Sequence, residues 1–506
     1  MRSLSSRLEQ HALSAPDRRA IAEGARRIDY GTLWAQACAF AAFLKTSGIT
    51  PGDRVALILN NGIEAVVACY GSWLAEAVVV PLNAQARARD LEPWLRHCDA
   101  RCVVHAHDHA DALGVLEALD TSILRVSVGA ANSGSRNMDW QEAVATPGTL
   151  DAPQVEPDAL AMILYTSGTT GAPKGVMLSH ANLAANVDSI TEYLELTRDD
   201  SIVTVLPFYY SYGQSVLHTH LASGAFLVIE QNLVFPHLMV ETLAREKVSG
   251  FSGVPSTFLL LLNRVPLGDY DLSSLRYLTQ AGGGMAPAVA NRLREAIPQA
   301  RLFIMYGQTE ATARLAWLPP HMLDAKSGAV GLAIPGVELQ VRNEAGQVCA
   351  AFEVGEVFAR GPNVMLGYWR NPEATASVLI DGWLKTGDMG HTDTDGYLFL
   401  SGRRSDMIKT GAHRVHPKDV EEVLAELPGV GEVAVIGVDD DTLGQIIKAV
   451  IVRAPAADLS ELRIKAHCRE RLAAYKIPKI ITFADALPKT ASGKIRRSEL
   501  QQQEAS

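Results

Sequence analysis

Apolar residues along this chain gather in short runs that end on glycine or small polar residues. From Asp53 the sequence reads DRVALILNNGIEAVVACYGSWLAEAVVVPLN: an unbroken apolar run, a turn pair at Asn61-Gly62, a longer apolar stretch, and a second run closing at Pro81. Short β-branched runs without alternation predict strands buried on both faces, and the longer stretch between them predicts a helix, so the segment reads as a β-α-β unit. ALAMILYTSG, SIVTVLPF, GAFLVIE, LRYLTQAGGG and ARLFIMYGQTE repeat the theme, each strand running into glycine or polar residues. In open α/β sheets those carboxyl ends are where ligands collect.

After Gly331 the runs shorten and turns multiply, in GVELQVRNEAGQ, GEVFARGPN and GWLKTGDMGHTDTDGYLFLSGR, which predicts a small antiparallel or β-barrel-like subdomain. Beyond it Val420, Val423, Leu424 and Leu427 keep helical spacing, Pro428-Gly429 stops that helix, EVAVIGV and KAVIVRA read as strands, and 459–473 as a second helix. The expected architecture is α/β. A large N-terminal domain spans 1–402, a joint lies at 403–405, and a small α+β C-terminal domain spans 406–506.

Composition narrows the function. The 506 residues are 48% hydrophobic and 20% charged, an ordinary globular mixture. A net charge of -10 without a long basic run gives no electrostatic case for a nucleic-acid partner. No run reaches the length of a membrane span and the N-terminus lacks a signal-peptide core, so a cytoplasmic location is expected. The six cysteines are scattered, unlike a disulfide framework. HCDARCVVHAHDH at 97–109 has poor spacing for a metal site and is expected to be a strand end and turn with surface histidines. A monomer and a homodimer are both compatible with the sequence.

YTSGTTGAPKG at 165–175 is the richest local signal. It follows the strand AMILY, so backbone amides and Thr and Ser hydroxyls converge at a strand end, with Lys174 as a mobile cation suited to phosphate. It is not a Walker loop, because Pro173 precedes the lysine and Gly175 follows it. With LPFYYSYG at 206–213, AGGGMAP at 281–287, YGQTE at 306–310, TGD at 386–388, GRRSDMIKTGAHRVHPKDVE at 402–421 and PKTASGKIRR at 488–497, the chain resembles the adenylate-forming superfamily over nearly its whole length. That superfamily comprises acyl-CoA synthetases, peptide-synthetase adenylation domains and luciferases.

The resemblance implies ATP and Mg²⁺ as cofactors and a carboxylic acid as substrate, joined as an acyl-adenylate with release of pyrophosphate and then passed to a thiol. It implies that Thr166, Ser167, Gly168, Thr169, Thr170, Gly171 and Lys174 hold the β- and γ-phosphates, that Thr309 contacts the α-phosphate, and that Glu310, with Thr166, serves the magnesium. Gly282, Gly283, Gly284, Tyr306 and Gly307 would take the adenine. Asp388 and Arg403 would hold the ribose, and Lys494 would bridge the carboxylate and the α-phosphate. A mobile C-terminal domain pivoting at Ser405, where many relatives carry an acidic residue or lysine, would present Lys494 for the first step and the thiol for the second.

For the acid, the resemblance points to Tyr209, Tyr210, Ser211 and Gly213. Ser211 stands where amino-acid-activating domains have an aspartate, so no carboxylate is offered to an α-ammonium group. The thiol is expected to be coenzyme A, with Arg404, Lys409, His413 and Arg414 as candidates for its phosphates. The alternative is the phosphopantetheine arm of an acyl-carrier protein. A nucleotide sensor without chemistry is disfavoured because Lys174, Glu310, Asp388, Arg403 and Lys494 are all present.

Overall fold

Arg54–Ile58, Ile63–Leu74 and Val78–Pro81 form the expected β-α-β unit, its strands parallel with Val55 opposite Val79. The structure is a computed structural model that describes the chain except residues 1, 120–121, 130–136, 146–147, 149–152, 154, 167–172, 232–234, 412, 441–442, 456, 491–492 and 505–506. Among the described residues the unit lies in an eight-stranded sheet ordered Gly367–Tyr368, Lys174–Ser179, Leu160–Thr166, Val78–Pro81, Arg54–Ile58, Ala100–Ala106, Leu124–Val128, Asn137–Asp139. Leu160–Thr166 and the strands after it in that order run parallel; Lys174–Ser179 and Gly367–Tyr368 are added antiparallel at one edge.

A nine-stranded sheet carries the other apolar runs. Its parallel centre orders Arg301–Tyr306, Tyr277–Gln280, Gly250–Gly253, Ser201–Thr204, Phe226–Ile229 and Arg19–Glu23. The largest core cluster draws Val79 and Leu164 from one sheet, Ile202 and Phe303 from the other, and residues of the helices Ile63–Leu74, His180–Leu194 and Ser211–Ala222. Ser211–Ala222 is therefore walled by protein: every residue from Tyr212 to Leu221 is buried. Its polar side chains must find internal partners. Thr219 Oγ1 donates to the Ser215 carbonyl at 2.7 Å, and His220 bonds the Val216 carbonyl through Nδ1 and the Tyr277 hydroxyl through Nε2, both at 2.7 Å.

The turn-rich region after Gly331 forms an antiparallel sheet of Glu338–Arg342, Gly355–Arg360, Leu379–Ile380, Trp383–Thr392 and Leu398–Arg403. The last hundred residues build a separate sheet on the long hairpin Val430–Asp440 with Gly444–Arg453, which Ile480–Phe483 joins in parallel. Pro417–Ala425 and Glu461–Arg471 pack on it. Val420 and Leu424 are fully buried and Leu427 nearly so, whereas Val423 is only half-buried, because the helix turns that position towards the rim.

One sequence expectation needs correction. His105 is not a surface residue. It has no exposed area, because Ala100–Ala106 lies between two strands of the parallel sheet and is covered on both faces. His97, likewise, lies in the helix Ala88–Cys98, where its ring bonds the Tyr165 hydroxyl at 2.8 Å.

Candidate active site

The carboxyl ends of Leu160–Thr166, Tyr277–Gln280 and Arg301–Tyr306 supply three sides of one cleft. Thr166 faces Lys174 across an antiparallel ladder, so the two bracket the glycine- and hydroxyl-rich connection; Ser167, Gly168, Thr169, Thr170 and Gly171 lie outside the described residues. Tyr368, on the edge strand beside Lys174–Ser179, links this corner to the next. Its ring lies 5.7 Å from the Lys174 ammonium and its hydroxyl donates to Glu310 Oε1 at 2.9 Å. Burial and that carboxylate raise the phenol's pKa, which keeps it a proton donor.

Thr309 and Glu310 sit on the short turn of 3₁₀ helix Thr309–Ala311, and the chain around them is tightly constrained. A Cβ at Gly307 would lie 2.1 Å from the Ala313 carbonyl oxygen, so the close passage there requires glycine. Thr312 has φ +62, a conformation that a β-branched residue adopts only under strain. The surroundings hold it: Thr312 Oγ1 donates to the Asn363 carbonyl at 2.7 Å, Asn363 Nδ2 donates to the Arg314 carbonyl at 2.7 Å, and the Met365 amide donates to the Glu310 carbonyl at 2.9 Å.

Asp388 is buried at the meeting of two sheets. Tyr306, at the end of its strand, donates its hydroxyl to Asp388 Oδ2 at 2.6 Å; Arg403, cross-strand partner of Asp388, forms an ion pair with it, Nε 2.9 Å from Oδ1. Burial raises the carboxyl's pKa, while Arg403 and the tyrosine hydrogen bond oppose the rise. Both carboxylate oxygens are thus oriented before any ligand arrives.

Gly282, Gly283 and Gly284 follow Tyr277–Gln280, with Gly283 and Gly284 exposed towards the cleft. Gln280 Nε2 donates to the Gly283 carbonyl at 2.8 Å and pins that turn. Lys494 reaches the same place from the C-terminal domain: a Cβ built on Gly282 would stand 3.8 Å from Lys494 Cε. Water still touches Lys494, yet protein atoms crowd it. That crowding lowers its pKa, the Arg403 charge adds to the lowering, and Asp388 and Glu310 oppose it. The domain is docked around it by Ser256 Oγ donating to the Gly493 carbonyl at 3.3 Å and Lys418 Nζ donating to the Leu400 carbonyl at 2.7 Å.

The segment expected to meet the acid lies across from Thr309. Ser211 Oγ and Thr309 Oγ1 are 3.2 Å apart, Tyr209 and Tyr210 are half-buried with ring centroids 4.6 Å apart, and a Cβ at Gly213 would lie 2.1 Å from the Pro207 carbonyl oxygen. Asn61, the turn residue of the first β-α-β unit, clamps this segment. Its side chain donates to the Leu206 carbonyl and accepts from the Phe208 amide, each at 2.8 Å.

The structure thus brings together Thr166, Lys174, Gly282, Thr309, Glu310, Tyr306, Asp388, Arg403, Ser211 and Lys494 around one cleft. Sequence reasoning missed Tyr368, Gln280 and Asn61; Gly367-Tyr368 and Asn61-Gly62 carried only the weak signal of a glycine beside a polar or aromatic residue. Of the coenzyme candidates, Arg404 is drawn to Glu356 at 3.2 Å and His413 stacks on Tyr475 with ring centroids 4.0 Å apart; the Arg414 side chain lies outside the described residues. Among the described residues no group of three or more His, Cys, Asp or Glu forms a protein-only metal cage. The carboxylate of Glu310, held by Tyr368 beside Lys174, fits Mg²⁺, which takes few protein ligands and shares phosphate oxygens.

A family model described as AMP-binding enzyme matches residues 8–369, and one described as AMP-binding enzyme C-terminal domain matches 419–494. The chain belongs to the AMP-binding enzyme family. Among its AMP-binding relatives, a long-chain-fatty-acid–CoA ligase of Bacillus subtilis is 31% identical over 99% of this chain and 95% of its own. A feruloyl-CoA synthase of an Amycolatopsis species is 33% identical over 97% of each. The o-succinylbenzoate CoA synthetase MenE of Bacillus subtilis, solved with its acyl-adenylate intermediate, superposes with a TM-score of 0.84 at 28% identity, covering 98% of both chains. The AMP-binding architecture is thus present end to end, with a large N-terminal α/β region and a small C-terminal domain.

Proposed function

We propose that this enzyme activates a carboxylic acid lacking an α-ammonium group. It is an AMP-forming acid–thiol ligase, using ATP and coenzyme A. The observation that carries the reading is the meeting of Lys494 from the C-terminal domain with Asp388 and Glu310 from the N-terminal domain and Arg403 from the joint. Two anions must approach each other in the first step, and preorganised positive charge is the most effective way to lower that barrier.

In the first step a carboxylate oxygen attacks the α-phosphorus, the bond to the β-phosphate bridge breaks, and pyrophosphate leaves. Lys494 spans the two reacting anions and Thr309 donates to the α-phosphate. Asp388, fixed by Tyr306 and Arg403, accepts from the ribose hydroxyls, while Gly282 to Gly284 and Tyr306-Gly307 receive the adenine. Thr166 to Lys174 hold the outgoing phosphates, and Glu310 with Thr166 would hold Mg²⁺, whose charge offsets that of the triphosphate. In the second step the coenzyme A sulfur attacks the acyl carbon, its proton leaves to solvent, and AMP departs. Residues 403–405 serve as the pivot that withdraws Lys494 and opens the thiol route; Ser405, exposed and bonded only locally to Asp406, offers little resistance to rotation.

The CoA ligases among the relatives favour coenzyme A over a carrier-protein arm. Ser211 in place of a carboxylate favours fatty, aryl or other acids over amino acids. We place the reaction in the cytoplasm, where ATP and coenzyme A are supplied and where cysteines stay reduced; none of the six here forms a disulfide. No helix among the described residues is long and apolar enough to cross a membrane.

Hydroxylamine trapping with ATP over fatty, aryl and amino acids tests the reading. Hydroxamates are expected from acids without an α-amino group, and repeating the hits with coenzyme A and with a loaded carrier protein should give thioester faster with coenzyme A. Hydroxamates from amino acids alone would contradict the reading. Tyr368→Phe tests the metal corner separately. Losing a hydrogen bond to a carboxylate costs about 1.5–3 kcal/mol, so the Mg²⁺ needed for half-maximal pyrophosphate exchange should rise roughly tenfold or more with the melting temperature little changed. An unmoved Mg²⁺ titration would remove Tyr368 from this role.

A further inference from the structure

Lys418 breaks a local rule. It is the second residue of the helix Pro417–Ala425, where the peptide dipoles gather partial positive charge and a cation is unfavourable. Its own domain does not repay that placement: the carboxylate it meets there, Glu422 one turn on, lies 3.4 Å away with both side chains partly exposed, a pairing worth little. The ammonium instead crosses to the strand Leu398–Arg403 and donates to the Leu400 carbonyl at 2.7 Å. Its stem passes the exposed glycine turn on the way, where a Cβ built on Gly284 would stand 3.5 Å from Lys418 Cε.

Both contacts fall on elements of the cleft. The strand that offers the Leu400 carbonyl ends in Arg403 and pairs with the strand of Asp388. His416, just before the helix, packs on the same strand end, its Nδ1 3.7 Å from where a Cβ on Gly402 would stand; Gly402 has φ +139, a conformation that favours glycine. Lys494 Cε stands 3.8 Å from a Cβ built on Gly282, so two lysines of the C-terminal domain flank one glycine turn of the N-terminal domain. Resting on the acid-activating reading above, we infer that Lys418 is a positioning residue for the first step alone. It latches the C-terminal domain in the orientation that presents Lys494, and its bond to Leu400 breaks when the domain turns for thiol transfer.

Lys418→Met keeps the stem and removes the donor. Losing a hydrogen bond from a charged group shifts the equilibrium it decides by about tenfold or more, so acid-dependent ATP–pyrophosphate exchange is expected to fall about tenfold. Transfer from a supplied acyl-adenylate to coenzyme A should equal or exceed that of the parent, with the melting temperature little changed. Lys418→Arg, which still reaches the carbonyl, should restore most of the exchange. A second measurement needs no chemistry: trypsin should cut the ligand-free protein after Arg403 or Arg404 several-fold faster in Lys418→Met, because the joint opens when the domain leaves its seat. Exchange equal to the parent's, equal falls in both half-reactions, a fall that Lys418→Arg does not mend, or unchanged cleavage at the joint each overturns the inference and leaves acid activation standing. A parent enzyme that exchanges with no acid overturns the acid-activating reading instead, and the cleavage comparison still decides whether Lys418 seats the domain.

Discussion

Replacing Lys494 by alanine is expected to lower acid-dependent ATP–pyrophosphate exchange on the order of 1000-fold, while transfer from a supplied acyl-adenylate to coenzyme A stays within a few-fold of the parent. Lys494 is a C-terminal cation brought beside Asp388 and Glu310 from the N-terminal domain and Arg403 from the joint. Arg403 is already engaged by Asp388, so its charge is largely committed when the two anions meet. Removing Lys494 therefore leaves their repulsion opposed chiefly by Lys174 and the metal, both nearer the departing phosphates. Once the adenylate exists the repulsion has been overcome, and the second step needs the domain elsewhere. An equal fall in both half-reactions would mean that Lys494 supports the fold or a common intermediate state, and the alternating-domain mechanism would fall with it.

Acid should unfold this protein well before its carboxylates titrate. His180, His218 and His220 are buried between the two large sheets, and burial lowers their pKa values to about 4, 3 and 4. In the unfolded chain each returns to about 6.5. A folded pKa below the unfolded one means that the unfolded state binds more protons as the pH falls, so the stability these residues permit is complete above 6.5 and lost progressively towards pH 4. Each contributes a loss of roughly 1.4 kcal/mol per pH unit, so the three together remove up to about 4 kcal/mol for every pH unit below 6.5, against a total stability typically near 5–15 kcal/mol. The relief nearby is small: His218 Nε2 has no partner, and for His220 the Val216 carbonyl and the Asp200 charge oppose the lowering without overcoming burial. Denaturant titrations at pH 7, 6 and 5 should show the midpoint falling steeply below 6.5. A flat profile to pH 5 would mean that these rings are charged in the fold.

Those histidines also show where sequence reading stopped. The helix Ser211–Ala222 carries Gln214, Ser215, His218, Thr219 and His220, a polar content that suggests a wet face, yet it is enclosed, with most of these groups bonded to its own carbonyls, Phe208, Tyr70 and Tyr277. His105 misled in the same way: a polar residue near a turn is the last position of a buried ladder. Strand ends, by contrast, were legible, since an unbroken apolar run into glycine has one physical reading in a parallel sheet. Thr166 with Lys174 could be placed at such an end from the residues alone.

The pairing of Tyr306 with Asp388, 82 positions apart, has no local signature, and only the resemblance put both beside one nucleotide. The reach of Lys494 depends on how one domain docks on another, which no periodicity encodes. Tyr368 was missed for a related reason: its importance comes from an antiparallel edge strand that places it between Lys174 and Glu310, and nothing in Gly-Tyr itself announces that neighbour.

The ladder that sets Thr166 opposite Lys174 has an electrostatic consequence. Lys174 opens a strand, and the next helix begins only at His180, so among the described residues no helix starts at Lys174 to line up peptide dipoles behind its ammonium. The Lys174 ammonium exerts a long-range pull that dissolved salt weakens, whereas the hydrogen bond from Tyr306 to Asp388 is short and buried, so ions in solution barely touch it.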